Sequence, residues 1–215
     1  MNSFAFESQK AFARLKEKYS LHDQQVEQFK DYAALLDQAR TQFNITAIDT
    51  IPEMVETHFM DSLALAHCED LSQVTMIADV GTGGGFPGIP LKILYPHISL
   101  VLIEVSTKKV DFLRTVINKL QLENIEISSL DWRTFLRKTS YPIDLFVSRA
   151  SLHTQDLLRL FQPGCTYKNA LLVYWASRHW NITAKEKPFF LKECEYSIQN
   201  KKRKLIFFKS SSVIE

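Results

Sequence analysis

Residues 79–88 read DVGTGGGFPG, and this stretch holds five of the six glycines in the chain. It follows a short apolar run at residues 75–80 and precedes an apolar helical segment at residues 91–95. A turn alone needs one or two glycines, so this cluster indicates that a ligand approaches the backbone closely. In an open α/β sheet, nucleotide-like ligands bind at this position, directly after a buried strand. A tight strand-to-helix turn without a ligand is the weaker interpretation.

Short apolar runs alternate with amphipathic segments on both sides of this turn. Alternation of this kind predicts a parallel sheet with helices on both faces. The expected strands are residues 75–80, 100–104, 125–128, 143–148 and 170–175, with helices at residues 107–120 and 155–161. Two later runs, residues 191–198 and 203–209, flank a short polar turn and predict an antiparallel hairpin at one sheet edge.

In the N-terminal part of the chain, the apolar residues recur only at helical spacing. Helices are expected at residues 4–18, from Asp23 onward, and from Pro52 to about residue 67. We therefore expect an α/β protein with a single domain over residues 1–215. Residues 1–70 would form a helical cap and residues 71–215 the cofactor-binding core. A mostly parallel sheet that ends in an antiparallel hairpin is typical of the Rossmann-like class I methyltransferases.

The glycine turn fits two cofactors in different registers. Gly83, Gly85 and Gly88 match the dinucleotide pattern Gly-x-Gly-x-x-Gly, but Pro87 removes an amide that would hold phosphate. The register from Asp79 to Gly85 starts at the strand end and resembles the first motif of S-adenosylmethionine methyltransferases. Glu104, at the end of the next strand, is placed to accept hydrogen bonds from ribose hydroxyls in either case.

Composition narrows the classes of function. No apolar run approaches the roughly 20 residues that span a bilayer, so no membrane partner is expected. Three scattered cysteines form neither a disulfide framework nor a zinc motif, so we expect buried free thiols, a cytoplasmic location and no metal.

The net charge is +2, but residues 185–209 hold eight basic and three acidic residues, a local balance of +5. The basic run from Lys201 to Lys204 is expected at the hairpin turn, either as a phosphate contact or as a solvated tip.

Five blocks follow one another along the chain: NITAI at residues 44–48, HFMDSL at 58–63, the segment 79–91, KKVDFL at 108–113 and SRA at 148–150. Together they resemble the bacterial ribosomal-RNA guanine-N7 methyltransferase G family, also called glucose-inhibited division protein B. The resemblance implies S-adenosylmethionine as cofactor and methylation of guanine N7 in small-subunit (16S) ribosomal RNA, taken naked or in a ribosomal particle. It implies cofactor contacts from Gly81, Phe86, Trp132, Arg133 and Arg149. The glycine turn and the strand ends themselves add Gly83, Gly85 and Glu104 as cofactor candidates, and Asp131 could replace a carboxylate that the family has nearby. The family usually has Arg-x-Glu where this chain has residues 131–133, and Lys-Gly where it has residues 174–177.

Three residues are candidates for the acceptor side of the reaction: Asn44, His58 and Arg149. Asn44 could bond a guanine edge or cap a helix, and His58 could face the cleft or bond a backbone group. Asp61, one helical turn after His58, is expected to hold its ring. Guanine N7 has a free lone pair and no proton, so orientation rather than a general base should supply the catalysis.

Two other functions remain open at this stage. One is a nicotinamide-dependent oxidoreductase that uses the Gly83 register. The other is a non-catalytic RNA-binding protein that keeps the fold. We assign no base-stacking role to Trp175 or Trp180, because most tryptophans pack in a core or at its rim. We expect a monomer.

Overall fold

The computed structural model describes residues 3–210. Seven strands form one sheet in the order β3-β2-β1-β4-β5-β7-β6. The five parallel strands are β1 (Met76–Val80), β2 (Ser99–Ile103), β3 (Ile125–Ser128), β4 (Leu145–Arg149) and β5 (Leu171–Ser177). The hairpin of β6 (Phe190–Ile198) and β7 (Lys201–Phe208) pairs antiparallel with β5 through β7. The predicted parallel sheet and its C-terminal hairpin are confirmed.

The helices cover both faces of this sheet. They are α1 (Ser3–Tyr19), α2 (Asp23–Arg40), α3 (Ile51–Met54), α4 (Asp61–Leu63), α5 (Gly88–Leu94), α6 (Thr107–Lys119), α7 (Trp132–Lys138) and α8 (Thr154–Leu157). A π-helical segment, Val55–Met60, joins α3 to α4, and a 3-10 turn, Ala64–His67, follows. The sequence analysis missed α7. No helix within residues 3–210 is long and apolar enough to cross a membrane.

Apolar burial explains how the helices are placed. On α2, Val26, Phe29, Ala33 and Leu36 recur at helical spacing and are all buried. They join a core shared with α1, residues 51–67, α5 and α6 on one face of the sheet. A second core, with α7 and α8, covers the other face. Strand β1 is therefore buried along almost its whole length, as expected for the centre of a parallel sheet.

The cysteine prediction was wrong. Cys68 and Cys194 form a disulfide across 126 residues of sequence and join the end of the helical stretch 51–67 to the edge strand β6. Cys165 is free and half-buried. The pairing depends on tertiary proximity, which the spacing of three cysteines does not reveal.

The basic run was also misplaced. The hairpin turn lies at Gln199 and Asn200, and β7 begins at Lys201. Residues 201–204 are therefore strand residues, and Lys204 pairs across the hairpin with Glu193 and Glu195. The charge of Lys204 is therefore paired between the two strands of the hairpin and is not free at its turn.

Candidate functional site

A cleft of about 670 Å³ opens at the carboxyl ends of β1 and β4. Strand order reverses between these two strands, which creates a crevice in any doubly wound sheet. The volume lies in the range of small-molecule sites. The lining includes the glycine turn, the end of β2, the start of α7, the end of β4 and part of the helical stretch 51–67.

The glycines of the turn serve different purposes. Gly81 and Gly83 line the cleft, and both have positive φ (67° and 60°). A Cβ on Gly81 would overlap Ser151, whereas a Cβ on Gly83 would meet only the Gly81 carbonyl oxygen, at 4.0 Å. Gly83 is therefore the position that leaves cleft space open. Gly85 lies outside the lining, where a Cβ would press on Tyr32, so it serves packing against α2.

A buried carboxylate holds this turn from below. Asp79 Oδ2 accepts hydrogen bonds from the Gly88 amide (2.7 Å) and the Thr82 hydroxyl (2.6 Å). Oδ1 has no hydrogen-bond partner among the described residues. Burial raises the pKa of Asp79 to about 7. The Gly88 amide is the first of α5, the helix start where a pyrophosphate would sit, and it is already bonded to a carboxylate, which disfavours a pyrophosphate there.

Glu104 lines the cleft beside the glycine turn. Its Oε2 accepts from the Gly83 amide (3.0 Å) and its Oε1 from the Ser106 amide (2.9 Å). These bonds fix the carboxylate, and each oxygen keeps a further acceptor position, since a carboxylate offers about four. Val105 is 63% exposed next to it and gives the cleft an apolar wall.

The opposite wall comes from the start of α7. Asp131 caps this helix by accepting from the Thr134 amide (3.1 Å), and both Asp131 and Trp132 line the cleft. The Trp132 indole N–H donates to the Asp156 carbonyl (2.9 Å), which fixes the buried ring. Arg133 is exposed and lies outside the lining of the cleft, with its Nη2 3.6 Å from Asp156 Oδ1.

His58 lines the cleft beside Phe86 of the glycine turn. Its ring stacks on Phe86 with centroids 4.5 Å apart, and its Nε2 lies 2.7 Å from the Thr46 hydroxyl. Burial, together with the nearby cations of Arg149 and Arg203, lowers the pKa of His58 to about 3. The ring is therefore neutral at physiological pH and cannot bind phosphate as a cation.

Asp61 organises the charges around Arg149, and its predicted partner was wrong. It was expected to hold His58, but its Oδ2 accepts from Arg149 (2.9 Å) and its Oδ1 from the Tyr196 hydroxyl (2.7 Å). Arg203 Nε lies 3.5 Å from Oδ1. The expected contact failed because the turn preceding Asp61 is π-helical, so the two side chains do not share a face. Tyr196 carried no sequence signal, and Arg203 was marked only as part of the basic run at residues 201–204.

The structure brings most of the predicted residues together. Arg149 lines the cleft, and its guanidinium carbon lies 5.0 Å from the centre of the Phe86 ring. Asn44 is exposed and lies outside the lining, whereas its neighbour Ile45 contributes to it. Within residues 3–210, no group of three or more histidine, cysteine or acidic residues is arranged to hold a metal ion.

Comparison with known proteins agrees with this geometry. The family model described as rRNA small subunit methyltransferase G matches residues 25–207. A protein of that name from Lachnoclostridium phytofermentans is 34% identical over 181 residues, which are 83% of this chain and 72% of the relative. A namesake from Thermoanaerobacter sp. is 44% identical over 140 residues, 64% of this chain and 58% of the relative.

Solved structures show the same fold at low identity. A methyltransferase from Geobacter sulfurreducens has a TM-score of 0.58 at 19% identity, over 83% of this chain and 87% of that one. A human methyltransferase 10 domain containing protein also has a TM-score of 0.58, at 13% identity, over 84% of this chain and 98% of that one.

Proposed function

This chain belongs to the rRNA small subunit methyltransferase G family, and from that membership we propose that it transfers the methyl group of S-adenosylmethionine to N7 of a guanine in small-subunit ribosomal RNA. The observation that carries the proposal is the arrangement of one continuous cleft. The glycine turn and Glu104 line it together with Arg149 and His58. A nucleoside cofactor and an acceptor base can therefore meet inside it.

The cleft residues fit a phosphate-free nucleoside cofactor. Gly83 leaves open space beside the backbone, where a methionine tail would lie. The Glu104 carboxylate is held where a ribose would need an acceptor, and Val105 offers an apolar surface for an adenine. Asp131 and Trp132 supply the other wall. Arg133 would reach the cofactor only if its exposed side chain turned inward.

The chain's own residues need to position the reactants rather than move a proton. When bound, S-adenosylmethionine supplies an electrophilic methyl group on a sulfonium. Guanine N7 needs no deprotonation, and the neutral His58 ring, stacked on Phe86, gives the base a rigid wall. Arg149 donates through Nη1 to Asp61 and to two backbone carbonyls, and its Nη2 lies 3.4 Å from His58 Nδ1. Its Nε–H and one Nη2–H remain for guanine O6 or a cofactor carboxylate. Orientation of this kind can supply about 7–11 kcal/mol of a barrier.

The two other functions are not favoured. In an oxidoreductase the cofactor pyrophosphate would sit at the start of α5, where the Asp79 carboxylate already bonds the Gly88 amide. A non-catalytic RNA-binding protein would be an exception among relatives that are named as methyltransferases.

In vitro methylation tests the proposal directly. Small-subunit RNA transcribed in vitro carries no modification and can be offered naked or reconstituted into particles, with radiolabelled S-adenosylmethionine. We expect label in one of the two substrates, and strand cleavage chemistry specific for N7-methylguanine should map it to a guanine. Cofactor binding without label in either substrate would contradict the proposal. So would a methyl group on any other atom.

A further inference from the structure

A second cleft adjoins the cofactor cleft beyond Arg149. It has a volume of about 610 Å³ and lies between the end of β5 and the start of β7. Arg149, Ala150 and Arg203 line both cavities and form the wall between them. We call this second cavity the basic cleft, after Arg178, Lys201, Lys202 and Arg203, which line it. A ligand that filled both cavities would have to be larger than a nucleoside.

Three cations of the basic cleft are available for a ligand, whereas Arg203 lies near Asp61. Lys201 and Lys202 are exposed, and neither they nor Arg178 forms an ion pair with any residue between 3 and 210. None of the described side chains that line the basic cleft is acidic. The next lysine of the strand, Lys204, differs because two glutamates already neutralise it. The unpaired cations therefore converge on one cavity, which favours a polyanion.

An aromatic surface accompanies these cations. Trp180 lines the basic cleft, is half-buried, and has its ring edge-on to Phe208 with centroids 6.2 Å apart. Its backbone amide donates to the Ser177 carbonyl (3.0 Å), which holds the main chain at this position. Trp175 is different, because it is 4% exposed and its indole N–H is bonded to the Asp61 carbonyl. A nucleotide base can therefore stack on the ring of Trp180, whereas the buried Trp175 can only form part of the wall of the cleft.

We propose that the basic cleft binds the RNA strand next to the target guanine. Its phosphates would lie against Lys201, Lys202 and Arg178, and a neighbouring base would stack on Trp180. Cations that follow a backbone, combined with an aromatic platform, are the usual means of holding single-stranded nucleic acid. The strand would then cross the wall formed by Arg149 and place its guanine in the cofactor cleft. This inference deepens the proposed function and rests on it.

A charge-matched pair of variants tests the inference. Lys201→Ser with Lys202→Ser removes two cations from the basic cleft. Lys185→Ser with Lys187→Ser removes two exposed cations that lie outside both clefts. The probe is a fluorescein-labelled 12-nucleotide single-stranded RNA, titrated at several salt concentrations. Each phosphate contact contributes about 0.7 to the slope of log affinity against log salt. We expect the Lys201/Lys202 variant to lose about 1.4 from that slope and the Lys185/Lys187 control to keep the wild-type value.

The stacking contact has its own pair of variants. Trp180→Ala should weaken RNA binding roughly fivefold or more, since stacking of one base contributes about 1–3 kcal/mol. Trp180→Phe keeps an aromatic face and should recover most of that loss. In methylation assays both losses should appear in KM for RNA, with the affinity for S-adenosylmethionine unchanged by calorimetry. If Trp180 were merely structural, Trp180→Ala would weaken the binding of S-adenosylmethionine as well as the binding of RNA.

The outcomes separate this inference from the proposed function. If the wild-type chain neither binds nor methylates RNA, both fail. If the wild type methylates RNA and the Lys201/Lys202 variant matches its control in salt slope and KM, the basic cleft is not the strand site. Because the lysine variants change only exposed side chains, they keep the test decisive even if Trp180→Ala does not fold.

Discussion

Replacing Asp61 with asparagine should destabilise the protein more than any similar change at a surface aspartate. The Asp61 side chain is 1% exposed and holds two cations, Arg149 and Arg203, as well as the Tyr196 hydroxyl. Asparagine has nearly the same shape, but it carries no charge and has one acceptor oxygen instead of two. The variant therefore leaves Arg149, whose side chain is largely buried, without its counter-ion.

The magnitude follows from the exposure of each partner. Arg149 is 12% exposed, so the cost of breaking a buried pair applies to it, about 3–5 kcal/mol. Arg203 is 31% exposed and 3.5 Å away, so solvent screening limits its share to about 1 kcal/mol or less. The oxygen that asparagine keeps can retain one neutral hydrogen bond, which returns about 1 kcal/mol. We expect a net loss of about 3 kcal/mol, which a domain with a stability of about 5–15 kcal/mol survives.

Urea unfolding followed by tryptophan fluorescence measures this loss. Trp175 reports on the site, because its indole N–H donates to the Asp61 carbonyl (2.8 Å). Asp37→Asn is the matched control, since it breaks only an exposed pair and should cost less than about 1 kcal/mol. Arg149→Met and the double variant complete a cycle, and their losses should be less than additive. A loss equal to that of the control, or an additive cycle, would refute the reasoning.

Three further predictions concern the cofactor, pH and the disulfide. Glu104→Ala should raise the Kd for S-adenosylmethionine roughly tenfold or more, through lost charged hydrogen bonds; equal wild-type affinity for a 2′-deoxy analogue would argue against a ribose contact. With a pKa of about 3, His58 should add no titration to the methyl-transfer rate between pH 6 and 8. Below pH 6.5 the unfolded chain protonates this histidine and the folded chain does not, so the stability that His58 contributes is full above pH 6.5 and is lost as pH falls toward 3. His58→Gln should therefore make the free energy of unfolding less dependent on pH in that window. A step in the methyl-transfer rate near pH 6.5 that His58→Gln removes would contradict this. Reducing the bond between Cys68 and Cys194 should cost up to about 5 kcal/mol, because it closes a loop of 126 residues; an unchanged Tm after reduction would show otherwise.

The features that the sequence predicted correctly depend on local pattern. The glycine cluster follows a strand and precedes a helix, so its place at the sheet crevice followed from chain order alone. The strand at Ile125–Ser128 and the hairpin followed from apolar runs of strand length. The short helix α7, which Asp131 caps, was missed because it has only seven residues, too few to show a helical period.

The features that the sequence did not predict depend on contacts between distant residues. Asp61 meets Arg149 across 88 residues and Tyr196 across 135, and neither spacing leaves a pattern. Gly83 and Gly85 look equivalent in sequence, yet one faces the cleft and the other packs on Tyr32. A basic run likewise does not reveal which of its charges the fold already neutralises, as Lys204 shows.

Calorimetric titration with S-adenosylmethionine tests the central claim most directly. The comparison is between the wild type, Gly83→Ala and Gly164→Ala. A Cβ at position 83 enters the open cleft, whereas a Cβ at Gly164 meets nothing within 4 Å and lies outside the cleft. We predict one cofactor per chain, unchanged binding for Gly164→Ala, and an affinity at least roughly tenfold lower for a folded Gly83→Ala. No heat of binding in the wild type, or equal affinity in all three proteins, would contradict the assignment of this cleft to the cofactor.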